Sequence, residues 1–271
     1  MNNITPVVKQ LLIINIIFFI GSQLVPIANN YFALYYFENP MFKFWQPLTH
    51  MFMHGGIPHI FFNMFALFSF GSALEHFWGG KKFLFFYISC GLGAALLHTL
   101  VDYIQLQNIL TSVSDLNLSH NVLNKILSVK FDDGNVYRAD FFEEAIKPIL
   151  IEDKKWSLIN QDNFRTLFEA AMQFDSKAVG ASGAIYGLLV AFAFMVPNAE
   201  LSLMFIPIPI KAKYFVPGIL AIDLFLGFKG SSIFGAGSTG IAHFAHIGGA
   251  LTGFIMMWFW KKNQFNHNRW N

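Results

Sequence analysis

The chain has 271 residues, of which 55% are hydrophobic and only 13% charged. A soluble domain carries about 25% charged residues, so there is too little polar surface here to face water on every side. The net charge of +2 comes without a basic stripe and gives no reason to expect a nucleic-acid partner, and a single cysteine, Cys90, excludes an intramolecular disulfide or a cysteine metal cluster.

A membrane-crossing helix needs about 20 mainly apolar residues. Windows that meet or approach this length fall at residues 8–28, 59–77, 83–104, 182–197, 213–230 and 242–260. They predict an all-α integral membrane protein with six transmembrane helices. The first window has Lys9 near its start, as a signal peptide would. It lacks a small-residue cleavage site before Gln23 and Pro26, and it is read as an uncleaved span.

Positive residues in short loops stay on the cytoplasmic side. One side collects Lys9, Lys81, Lys82, Lys211, Lys213, Lys261, Lys262 and Arg269, and the other collects Lys43 and Lys229. Both termini are therefore expected in the cytoplasm, with a bacterial inner membrane as the expected location. The long polar segment 105–177 then falls on the opposite face, because long loops translocate regardless of charge. It divides the chain into a membrane core, residues 1–104 and 178–271, and an extracytoplasmic insertion between the third and fourth helices. Within it Asp140–Leu150 and Asn160–Phe174 look helical, and Phe164, Leu167, Phe168 and Ala171 share one helical face. It is too long for a simple connection, which leaves a small folded cap or a segment that binds substrate or a partner.

The fourth window is unusual. It starts abruptly at Gly180-Ala181-Ser182-Gly183 and stops at Pro197, short of what a bilayer requires. A span ending inside membrane depth must be surrounded by protein or line a water-filled cavity.

Polar groups inside spans are costly and therefore informative. His59, Asn63, Ser182 and His246 all fall in the outer halves of their predicted spans. Ser182 opens a helix whose first backbone N–H groups lack partners and suit a developing oxyanion. A serine hydroxyl needs a base, and neutral imidazole is the usual one. His246 is the best placed, since Gly248, Gly249 and Gly253 let its helix approach another closely, and Gly183 and Gly187 offer a matching smooth face. His59 and Asn63 lie four apart, so they share a face and present two neutral donors to one place. Tyr186 lies one turn below Ser182. Taken singly, each of these residues is more often inter-helix glue than a catalyst. His50, His54 and His243 are read as structural or interfacial residues, and Cys90 as a core residue.

Together the segments resemble the rhomboid family of intramembrane serine proteases. Gly180-Ala181-Ser182-Gly183 is similar to the family's nucleophile motif, with Gly180 and Gly183 supporting the site. Ala245-His246-Ile247-Gly248-Gly249, with Gly253 beyond, is similar to its histidine helix. His59-x-x-x-Asn63, preceded by residues Leu48 to Gly55, is similar to the start of its second helix. Tyr186 matches the tyrosine that packs on the family's catalytic histidine. Two features depart from the family. Its loop-one Trp-Arg pair reads Trp45-Gln46 here, and the insertion is far longer than in the minimal core.

The resemblance implies a Ser182–His246 dyad without an aspartate, an oxyanion hole from His59, Asn63 and the Ser182 N–H, and neither cofactor nor metal. Asp223, placed by the predicted topology near the inner end of the fifth span, reads as a poor candidate for a third catalytic member. The resemblance implies substrates that are transmembrane helices with breakable ends. The Gly/Ser-rich stretch Ser231–Gly240 is expected to be a mobile cap beside the site. Two competing readings are an inactive rhomboid-like scaffold or chaperone and a small-molecule transporter. A scaffold would not need Ser182 and His246 together. A transporter is expected to show internal repeats and ionisable residues along a crossing route, and neither is found.

Overall fold

The structure, a computed structural model, describes residues 4–134, 136–203, 206–229 and 241–264. In chain order its main elements are α1 (Pro6–Leu24), α2 (Ile57–Trp78, with a π-helical turn at Leu67–Gly71) and α3 (Gly80–Thr111). Then come α4 (His120–Leu127), α5 (Ala139–Glu152), α6 (Gln161–Asp175) and α7 (Ser182–Met195). A hairpin of β1 (Glu200–Leu203) and β2 (Ile206–Lys211) leads into α8 (Ala212–Lys229) and α9 (Ile241–Gln264). Every predicted apolar window overlaps one of α1, α2, α3, α7, α8 and α9.

Among the described residues, α1, α2 and α3 are each long and apolar enough to cross a membrane. α7 is apolar but has only 14 residues, about 21 Å at 1.5 Å per residue, against a hydrocarbon core of about 30 Å. Only 22% of the α1 window is buried within the protein, and Ile13, Ile17 and Ile20 point outward. Leu92 and Leu96 of α3 and Trp258 and Phe259 of α9 are likewise exposed. Apolar surface this continuous is stable only against lipid. The chain is a membrane protein.

The hairpin departs from the all-helical expectation. Glu200 pairs with Lys211 and Leu201 with Ile210, in antiparallel register. Its second strand reads Ile-Pro-Ile-Pro-Ile, which alternates with the period of a strand, and its prolines would break a helix interior.

The chain separates into two compact units, one comprising 1–34, 44–98 and 178–271, the other 35–43 and 99–177. The second unit has its own apolar core. Leu106, Val113, Ile126 and Phe131 pack with Phe142, Ile146, Leu150, Leu167, Ala171 and Phe174. Leu167 and Ala171 are fully buried, and Phe164 and Phe168 flank them, as the helical spacing predicts. α4 and α6 begin on side-chain caps: Ser119 Oγ accepts from the Val122 N–H at 3.3 Å, and Asn160 Oδ1 from the Asn163 N–H at 2.8 Å. Asn39 ties the 35–43 segment to α6 by donating to the Phe174 carbonyl at 2.9 Å.

The first unit buries Val8, Leu11, Leu67, Leu74, Phe83, Phe86, Tyr87 and Cys90 against Ala184, Ile185, Leu188 and Met257. Glu75 of α2 anchors the start of α1, where its carboxylate accepts from the Val7 and Val8 N–H groups at 3.0 and 2.8 Å. Helix starts leave such donors without partners, so this carboxylate stabilises the α1 terminus.

Glycine sets the spacing of α3, α7 and α9. A Cβ on Gly249 would lie 1.8 Å from the Gly183 carbonyl oxygen, and one on Gly253 would lie 2.8 Å from Gly187 Cα. On the other side of α7, a Cβ at Gly187 would meet Cys90 Sγ at 2.3 Å. Backbone thus packs on backbone, the usual way for membrane helices to associate without a hydrophobic driving force.

This packing is testable. Gly249→Ala should force α7 and α9 apart at a cost of about 1–3 kcal/mol, the range for overpacking a tight core. Its thermal unfolding midpoint in detergent micelles should fall clearly below that of the parent. Gly21→Ala, where a Cβ meets nothing within 4 Å, should leave the midpoint unchanged or raise it. Equal midpoints for both variants would contradict the close approach.

Candidate active site

The segment that delivers Ser182 is fixed from both sides. Gly180 has φ +123°, a conformation open to glycine and strained for other residues. Its N–H donates to the His50 carbonyl at 2.9 Å, which ties the turn before α7 to the loop before α2. That loop contains two short helical turns, Gln46–Thr49 and His50–Phe52. Ser182 then opens α7, half-buried, with the first-turn N–H groups beneath it.

The close packing of α7 on α9 brings His246 to this serine. Ser182 Oγ and His246 Nε2 are 2.8 Å apart, a full hydrogen bond. The Tyr186 ring stacks on the imidazole with centroids 4.2 Å apart and planes 10° from parallel. Stacking of this kind fixes the ring plane, so Nε2 is held toward Oγ. The structure thus brings Ser182, His246 and Tyr186 together, with Gly180 and Gly183 on either side of the Ala181-Ser182 pair.

His59, at the start of α2, flanks the same point. A Cβ on Gly180 would lie 2.8 Å from His59 Nε2 and 3.6 Å from Ser182 Oγ, so glycine leaves the imidazole room beside the hydroxyl. The Gly55 N–H donates to His59 Nδ1 at 3.3 Å. With Nδ1 accepting, a neutral His59 carries its proton on Nε2 and presents a donor to the site. Asn63 lies one turn further along α2 and is buried. Its amide donates to the His59 carbonyl at 2.8 Å, and one N–H of that amide is left over.

His50 and His54 are built into the loop. His50 Nδ1 lies 3.1 Å from the Gln46 carbonyl, and His54 packs edge-on against His59 with ring centroids 5.1 Å apart. Burial disfavours the imidazolium form and pushes His50 down to about 4 and His54 down to about 3. Both are neutral at physiological pH, which fits a structural role. Trp45-Gln46 has a local task as well: Trp45 Nε1 donates to the Tyr31 carbonyl at 3.0 Å, and Gln46 Nε2 reaches the Asn30 and Tyr31 carbonyls at 3.4 Å.

The expectation for Asp223 is wrong. Its carboxylate faces His246 Nδ1, with Oδ2 at 3.3 Å and Oδ1 at 3.4 Å, and it also bonds to His243 Nδ1 and to the Tyr186 hydroxyl. The error was one of depth. Asp223 lies six residues before Lys229, about 9 Å from the end of α8 that adjoins the start of α9, and His246 lies five residues into α9. The two therefore share a level. His243 is not merely interfacial, since it holds the same carboxylate. A lone buried aspartate in an apolar run was itself the signal to follow. Asp223, His243 and His246 offer ligand atoms within 4.8 Å of one another, a donor set of the type that binds divalent metals. In this structure those atoms are turned toward each other as hydrogen bonds. The Ser231–Gly240 stretch lies outside the described residues.

A hydroxyl on an imidazole nitrogen, at a helix start and beside the His59 imidazole, is an arrangement for attack on an acyl carbon. Comparison with known proteins gives the family. The sequence model of the rhomboid domain matches residues 41–106 and 159–263, well over half of the chain. An uncharacterized mitochondrial rhomboid protein of Schizosaccharomyces pombe is 24% identical over 177 residues, 65% of this chain and 41% of that protein. The rhomboid protease GluP of Bacillus subtilis is 37% identical over 54 residues, 20% of this chain and 11% of that protein. The chain thus spans less than half the length of the curated relatives it matches.

Proposed function

Because the chain belongs to the rhomboid family, we propose that it is an intramembrane serine endopeptidase that cleaves transmembrane helices with Ser182 and His246. The observation that carries this reading is the 2.8 Å contact between Ser182 Oγ and His246 Nε2, made at the mouth of a helix too short to cross the bilayer. GluP, the bacterial relative, is itself named a rhomboid protease.

In the proposed reaction the Ser182 hydroxyl proton passes to His246 Nε2 as Oγ attacks the peptide carbonyl carbon. The carbonyl π pair moves onto oxygen, where His59, Asn63 and the Ser182 N–H stabilise the charge. His246 then gives its proton to the departing amine as the C–N bond breaks, leaving an acyl-serine that water hydrolyses with the same histidine as base. Ser182 and His246 are half-buried rather than sealed, as attack on a peptide and hydrolysis by water require. Substrates would be membrane helices that unwind near the cut, because an intact helix shields its carbonyls in i→i−4 bonds. We further propose six membrane crossings, with both termini on the side that retains the short-loop lysines. The insertion 105–177 would then lie on the far side and influence substrate access.

Three outcomes follow. In proteoliposomes with a model transmembrane substrate, Ser182→Ala and His246→Ala should each abolish cleavage, since residues that act as a unit are not additive. Full cleavage by either folded variant would remove the protease reading.

The oxyanion assignment gives graded losses. His59→Ala and Asn63→Ala should each slow cleavage by up to about 10²–10³-fold without abolishing it, because the Ser182 N–H remains. An unchanged rate for Asn63→Ala would return that residue to a packing role.

The orientation is tested by Ser114→Cys in a Cys90→Ala background. The new thiol should react with a membrane-impermeant reagent in intact cells. Protection until lysis would overturn the proposed sidedness.

A further inference from the structure

Asp223 turns the proposed pair into a three-membered chain. We infer that its carboxylate is a positioning residue, which holds the His246 imidazole in the tautomer that can take a proton from Ser182. This inference rests on the reading of Ser182 and His246 as nucleophile and base.

An ionised carboxylate only accepts, so a nitrogen that faces it must carry its proton. Asp223 oxygens lie 3.3 and 3.4 Å from His246 Nδ1. With the proton on Nδ1, Nε2 of the neutral ring has a free lone pair, and that atom lies 2.8 Å from Ser182 Oγ. The opposite tautomer would place N–H against the serine hydroxyl and leave no base. When Nε2 takes the serine proton, the ring gains a positive charge, and the carboxylate on its far side stabilises it without taking up a proton itself.

Burial strengthens the case. The Asp223 side chain is 3% exposed, and a charge so placed persists only when its oxygens are bonded. Three donors converge on it: His243 Nδ1, His246 Nδ1 and the Tyr186 hydroxyl. Tyr186 also stacks on His246. One phenol therefore fixes both the acid and the ring that the acid addresses. His243 is 5% exposed and bonds Oδ1, one of the two carboxylate oxygens that His246 Nδ1 faces. Its place, one turn ahead of His246 on α9, makes it the clamp that keeps Asp223 aimed.

The contact to His246 is longer than an optimal hydrogen bond, and the stack shares the orienting task. In a Ser-His-Asp triad, replacing the aspartate by asparagine costs about 10⁴-fold in turnover. A smaller effect is expected here, at least about tenfold, because the contact is weaker and Tyr186 remains.

The test compares the full-length chain with Asp223→Asn in lipid bilayers, by substrate cleavage and by ¹⁵N NMR of imidazole-labelled histidines. The parent should show His246 protonated on Nδ1. Asp223→Asn should lower kcat at least about tenfold with KM within about twofold, and shift His246 toward the Nε2–H form. Unchanged kcat in folded Asp223→Asn would overturn the inference. So would a fall in kcat with the tautomer unmoved, which would mean a structural role only. Should that variant fail to fold, the parent spectrum decides alone: Nε2–H as the resting form of His246 sinks the proposal. Absence of cleavage by the parent would sink the protease reading instead, and the tautomer measurement would still stand.

Discussion

Everything at this site depends on how closely two helices approach. Side chains larger than hydrogen at Gly249 or Gly253 would hold α7 and α9 apart, and the contact between Ser182 and His246 spans only 2.8 Å. A displacement of about 1 Å in a reacting group can cost 10²-fold in rate. In the proposed reaction the glycines would thus carry catalytic weight while touching no reacting atom. α3 completes the arrangement from the other side, with Cys90 against Gly187 and Ala94 against Gly183. Lipid offers no hydrophobic force to press these helices together, so smooth surfaces and backbone contact must do so.

The second constraint is polar satisfaction in a medium without water. A carboxylate, two histidines and a tyrosine hydroxyl are grouped around Asp223, and each finds its partner within the group. Removing one member of such a buried network leaves the others exposed to the full desolvation cost. That coupling explains why so polar a cluster is tolerated where Tyr186 packs against Leu189, Val190, Val216 and Ala250. It also gives Tyr186 two duties, as a ring under His246 and as a hydroxyl on Asp223.

Much of this was legible in the sequence. Apolar runs of membrane length marked the helices, and the Gly-x-Ser-Gly and Ala-His-x-Gly-Gly segments marked the two faces that meet. The face of α6 was readable from the spacing of Phe164, Leu167, Phe168 and Ala171. Two things were not. The hairpin at Glu200–Lys211 was hidden because its Ile-Pro alternation lies between apolar helices and is short. Asp223 is misread in depth alone: the predicted window 213–230 ends within one residue of α8, and counting back from its Lys229 end by the rise per residue sets the carboxylate in the outer half, level with His246, not near the inner end. His243 was undervalued for the same reason, since its partner had been put at the other end of the helix.

The account stands or falls on whether Ser182 is an activated nucleophile. The most direct measurement is to treat the purified, folded chain with a fluorophosphonate, digest it, and locate the adduct by mass spectrometry. A hydroxyl on the lone pair of His246 Nε2, next to convergent donors, should react while the other serines stay inert. The account predicts a single adduct on Ser182. No adduct, or one on a different serine, would contradict it.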